Sequence, residues 1–125
     1  MLPAEKLIGF VAITDGERAK AFYAEKLGLS FVSDDPFAVV FVSSGNMIRL
    51  TKVKQFTPQP FTVLGWQVPD VVAAVKRLQA SGVTFERYGD FMQQDELGIW
   101  TAPGGTKVAW FKDPDGNTLS VSQHD

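Results

Sequence analysis

The sequence predicts an α+β protein built from two successive βαβββ units. Three observations carry that expectation. Runs of strand-like alternation flank two stretches of helical periodicity; each helical stretch opens on an Asp and stops at a Gly; and both halves present these parts in one order. Strand, Asp15, helix, Gly28 and Leu29-Ser30-Phe31 in the first half stand against strand, Asp70, helix, Gly82 and Val83-Thr84-Phe85 in the second.

The elements follow in order. Leu7 to Ile13 reads as an apolar strand, after which Thr14-Asp15 supplies an N-cap and Glu17 falls early in the following helix. In DGERAKAFYAEKLG, residues Ala19, Phe22, Tyr23 and Leu27 recur at spacings of three and four, which makes one apolar face. Strands are expected over 29–33, 37–43 and 47–53, the last two joined tightly by Ser44-Gly45-Asn46. The segment at about 54–60, rich in Pro and Gln, interrupts the apolar pattern and reads as a linker, with one module over about 1–56 and another over about 61–125. Thr62 to Val68 is the next strand. Pro69-Asp70 opens a helix whose apolar face is Val71, Ala74, Val75 and Leu78. Strands are then expected over 83–85, 96–101, 107–112 and 117–122, one more than the first unit offers. Either an extra strand or a loop within FMQQDELGIW accounts for that surplus.

Composition narrows the function classes. A chain of 125 residues with 45% hydrophobic and 21% charged residues can form a single domain with one core. A formal charge of -2, without a basic run, gives no footprint for nucleic acid. Zero cysteines remove disulfides, thiolate metal ligands and thiol nucleophiles together. No basic leader and no bilayer-length apolar run is present, so a cytoplasmic protein without membrane partners is the expectation.

The phrases AFYAEKLGL (21–29), VPDVVAAVKRLQASGVTF (68–85) and AWFKDPDGNTLSV (109–121) occur in this order on the repeated units. Together they resemble the vicinal-oxygen-chelate superfamily, which includes glyoxalase I, extradiol dioxygenases and the fosfomycin- and bleomycin-resistance proteins. The resemblance covers nearly the whole chain. It implies two βαβββ modules forming an open curled mixed sheet around a cavity, commonly as a homodimer. Metal-using members take His or Glu from the first strand of each module and Glu from the final strand. Those positions fall here at Ile8 (Gly9 if the register slips by one), at Val63 or Leu64, and at Ser120. Aliphatic side chains and one hydroxyl make no first shell for a divalent ion, so neither a metal nor another cofactor is expected.

Other chemistry is thinly represented. The single histidine, His124, stands beside the C-terminus and reads as part of an exposed tail. Asp34-Asp35 and Asp95-Glu96 are adjacent pairs next to turns, where strand neighbours point to opposite faces, so solvated charge is the better account. If the ligand-equivalent positions face a cavity, alternation puts Ile8, Phe10 and Ala12, then Val63, Gly65 and Gln67, then Thr118, Ser120 and Ser122 on that side. Ile48 and Leu50 belong to the core, which turns Met47, Arg49 and Thr51 the other way. There Arg49 either holds a ligand carboxylate or phosphate or snorkels at a rim. Of Trp66, Trp100 and Trp110, alternation assigns Trp66 to the core, favours Trp100 for the pocket and leaves Trp110 open.

The candidate ligand-binding residues are therefore Arg49, Gln67, Trp100, Ser120, Phe10 and Met47, with no catalytic and no metal residue assigned. Metal-independent binding of a small apolar or aromatic molecule in the cleft is the leading expectation. The alternative is a glyoxalase- or dioxygenase-like enzyme acting on a vicinal-oxygen substrate, with metal only if ligands come from other positions. A metal-free enzyme using Arg49 and the neutral hydroxyls ranks below simple binding because no general base is evident, and a pure interaction or structural role is also open.

Overall fold

Each half of the chain folds its four strands into one mixed sheet in which the first strand lies beside the last. The computed structural model describes residues 1–124 and divides into two compact units, Met1–Pro58 and a second that begins at Gln59. In the first, β1 (Ile8–Ile13) leads into α1 (Gly16–Ala21), and β2 (Ser30–Asp34), β3 (Ala38–Ser43) and β4 (Asn46–Lys52) follow. The sheet order is β1-β4-β3-β2, with β1 parallel to β4 and the other pairs antiparallel. The second unit has β5 (Thr62–Gln67), α2 (Val71–Ala80), β6 (Trp100–Thr101), β7 (Lys107–Lys112) and β8 (Thr118–Gln123). Its order, β5-β8-β7-β6, repeats the first topology, so the α+β class and the paired βαβββ units hold.

Local chemistry explains the helix boundaries. Asp15 accepts from the backbone N–H of Arg18 at 3.1 Å and Asp70 from that of Ala73 at 3.1 Å, so each helix starts on a capped donor. After Ala21 the first helix widens into a π-helical stretch, Phe22–Lys26, before Gly28 ends it with positive φ. Pro69 precedes the Asp70 cap and stands outside the helix, not at its first position. The helices bury the faces expected of them: Ala19, Phe22 and Tyr23 in one unit, Val71, Ala74 and Val75 in the other. Beneath α1 lie Val11, Ile13, Val39, Phe41, Ile48 and Leu50, all buried. Side chains of this size contribute about 1.5–3 kcal/mol each when removed from water.

The surplus strand of the second unit is resolved as a shared edge. Phe85 makes only an isolated antiparallel bridge to Phe111, while Trp100 and Thr101 pair with Val108 and Lys107 further along β7. Two short segments thus take one strand position end to end. The expected strands over 83–85 and 96–101 are shortened because the intervening chain satisfies its hydrogen bonds locally. Asp95 Oδ1 accepts from Leu97 and Ile99 N–H groups, and Gln94 accepts from Tyr88 N–H while donating to the Glu86 and Gly98 carbonyls. The linker over 54–60 carries no regular element. Among the described residues no helix is long and apolar enough to cross a membrane.

The turn between β7 and β8 is built around one buried carboxylate. Asp113, 5% exposed, accepts from the N–H groups of Asp115 and Asn117 through Oδ1 and from Asn117 Nδ2 through Oδ2, at 2.9–3.0 Å. Gly116, at φ 87°, takes the left-handed corner that lets the chain return. Replacing Asp113 by Ala strands these buried donors. Urea unfolding is expected to show a loss of about 2–3 kcal/mol.

Candidate functional site

Helix packing decides which face of each sheet is left for chemistry. In the first unit Val11, Ile13, Ile48 and Leu50 face α1, so Ile8, Phe10, Ala12, Met47, Arg49 and Thr51 lie on the opposite, helix-free face. Strand register then makes neighbours of them: Ile8 pairs with Met47, Phe10 with Arg49 and Ala12 with Thr51. Across β4, Arg49 is also opposite Val40 and Met47 opposite Val42. Phe10 is 63% exposed and Ile8 45%, while Met47 and Arg49 are half-buried. The rows joined across β1, β4 and β3 are apolar or neutral except for Arg49.

In the second unit Leu119 and Val121 are buried toward α2, with Leu64 and Trp66 as their partners on β5. Trp66 therefore belongs to the helix side, as alternation predicts. On the helix-free face Ser120 is paired with Gly65 and with Trp110, and Ser122 with Gln67 and Val108. A Cβ at position 65 would stand 2.7 Å from Ser120 Oγ, so only glycine leaves that hydroxyl its place. A register shift between Thr62 and Leu64 leaves Val63 without a cross-strand partner, and Thr62 takes the position beside Thr118. Simple alternation misses this bulge, which puts Thr62 and not Val63 beside Thr118.

Trp110, left open by the sequence, falls on the face of Ser120. Its indole N–H donates to Thr62 Oγ1 at 3.1 Å, and its ring lies 6.0 Å from Trp100 at a tilt of 36°. Tyr88 meets the Trp110 ring edge to face at 5.6 Å. Partial burial, with the Glu86 charge adding to it, raises the Tyr88 phenol above its ordinary value. Tyr88 is the member that sequence reasoning missed, because it lies in a connecting segment without periodicity. Trp100 also borders an open cavity of about 470 Å³ lined by Gln93, Gln94, Asp95, Ile99 and Thr101. The structure thus collects Gln67, Trp100 and Ser120 on one sheet face and Phe10, Met47 and Arg49 on the other unit's.

Three of the four carboxylates in the adjacent pairs, Asp34, Asp35 and Asp95, are committed to structure. Asp34 pairs with Lys52 Nζ at 2.6 Å, and Asp35 Oδ1 accepts from Phe37 and Ala38 N–H. Those N–H groups, ahead of the Arg49 and Lys52 charges, hold the Asp35 carboxyl below its ordinary range. His124 is exposed, with Nε2 2.9 Å from Ser122 Oγ. Among the described residues no three of His, Cys, Asp and Glu gather as a metal-binding group. At the ligand-equivalent positions, Ile8, Val63 and Ser120 offer two aliphatic groups and a hydroxyl, a donor set that does not fit a divalent cation.

Comparison with known proteins agrees with this architecture. The family model described as Glyoxalase/Bleomycin resistance protein/Dioxygenase superfamily matches residues 8–121. A superfamily member from Sphaerobacter thermophilus shares 26% identity, with 97% of this chain and 98% of that one aligned at a TM-score of 0.74. TnmS3, an antibiotic binding protein from Streptomyces sp. CB03234, shares 26% identity over 100% of this chain and 99% of its own, at a TM-score of 0.73. Lactoylglutathione lyase from Agrobacterium tumefaciens shares the fold at 19% identity, covering 97% of this chain and 94% of that one with a TM-score of 0.72. Curated proteins give no match.

The contact between positions 65 and 120 yields a direct check. Gly65→Ala is expected to destabilise the protein by about 1–3 kcal/mol through overpacking. Adding Ser120→Ala removes the opposing hydroxyl, so thermal and urea melts of the double variant should recover most of that loss.

Proposed function

The chain belongs to the Glyoxalase/Bleomycin resistance protein/Dioxygenase superfamily, and from that membership we propose that it binds a small apolar or aromatic molecule without a metal. The observation that carries this reading is the aromatic wall of Tyr88, Trp100 and Trp110 beside Ser120 and Thr62 on a helix-free sheet face. Offset and edge-to-face rings bind planar ligands through their quadrupoles, and neighbouring hydroxyls and the Gln67 amide orient a polar substituent. The whole-chain likeness to TnmS3, an antibiotic binding protein, favours the same reading. So does the donor set at Ile8, Val63 and Ser120, which gives the metal-dependent alternative no first shell. Assembly as a homodimer and a cytoplasmic location belong to the proposal, the former implied by the family resemblance and measured by sedimentation.

The glyoxalase- or dioxygenase-like enzyme is the second reading. Elemental analysis of protein purified without chelators separates the two: stoichiometric metal together with lyase or dioxygenase turnover would replace the binding proposal. For binding itself, tryptophan fluorescence and thermal shift against a panel of planar aromatic compounds are the measurements. Trp100→Ala should weaken the best compound about two- to tenfold, the worth of a ring contact. A panel in which nothing shifts emission or melting removes the proposal.

A further inference from the structure

Resting on the binding reading, we propose that the helix-free face of the first sheet is an oxyanion site, taking small organic anions whose carboxylate or sulfonate is joined to an apolar body. Arg49 grips the anion while Phe10, Met47 and Ile8 hold the body. The register sets Arg49 between Phe10 on β1 and Val40 on β3, with Ile8, Met47 and Val42 in the next row. An arginine half-buried among these side chains is poorly hydrated, and its planar fork of donors is suited to two oxygens at once.

Among the described residues none hydrogen-bonds or ion-pairs with that guanidinium. The carboxylate that feels its charge, Asp35, has Oδ1 occupied by the N–H groups of Phe37 and Ala38 at 2.7 and 2.9 Å. Asp34 is held by Lys52. A snorkelling arginine would direct its head to water beside an apolar strip, but Phe10 at 63% exposure leaves an aromatic surface next to the charge that water covers poorly. Apolar surface with one cation complements an amphipathic anion better than a neutral ligand.

The test uses two dyes of the same skeleton, anilinonaphthalene sulfonate and the neutral phenylnaphthylamine, titrated by fluorescence into the folded protein and into Arg49→Gln and Arg49→Lys. The wild-type protein should bind the sulfonate more tightly, and only this affinity should fall as salt rises. Arg49→Gln should weaken the sulfonate about tenfold or more and leave the neutral dye within about twofold. Arg49→Lys keeps the charge without the fork and should fall between. Sulfonate affinity unchanged in Arg49→Gln, or both dyes weakened equally, overturns the anion site while leaving the binding reading in place. If neither dye binds the wild-type protein, the anion site is overturned, while the binding reading is decided by the wider aromatic panel.

Discussion

The parallel pairing of the first strand of each unit with its last is the constraint on which the rest of the structure depends. Parallel neighbours need a crossover, and in both units a helix supplies it. That helix covers one sheet face; on the other, Phe10 stays exposed while Val40 and Ser120 are buried. Strand alternation then sorts side chains with no further instruction: Val11 and Leu50 go under α1, while Phe10 and Arg49 are left together on the open side. In the second unit the same pairing sets Gly65 against Ser120 and Gln67 against Ser122.

Much of this was legible because the signals are periodic or local. Asp15 and Asp70 announce their helices by capping chemistry, and Ile48 and Leu50 mark the buried face of a strand that carries Met47 and Arg49 on the other. What escaped depends on interactions that have no period. The bulge at Val63 changes the pairing by one residue, and nothing in TVLGWQ signals it. The segment from Arg87 to Gly98 looks partly strand-like, yet it is organised by side chains bonding to backbone: Gln94 to three groups, Arg87 to the carbonyls of Asp95 and Glu96. Tyr88 reaches the site through that organisation. Trp110 required knowledge of which residue of β8 it opposes.

Six of the acidic residues hold the frame itself together. With 14 Asp and Glu in the sequence, a shortage of carboxylates is not the reason that no metal-binding group gathers among the described residues. Their positions are the reason. Asp113 is spent on its turn, Asp15 and Asp70 on helix starts, Asp35 and Asp95 on loop N–H groups and Asp34 on Lys52. Each holds backbone or a neighbouring cation in place, and the face beside β8 is left with hydroxyls and aromatic rings.

The division of the outer edge of β7 between Phe85 and Trp100 has a consequence for how such a protein can change. The sheet needs only a brief bridge and a two-residue ladder along that edge, so the chain from Arg87 to Leu97, none of it buried, can lengthen, shorten or be rewritten without repairing the core, to which Ile99 belongs. Yet this same chain carries Tyr88 and borders Trp100. Changes confined to this one surface excursion would recut the aromatic wall while the strands that support it stay as they are.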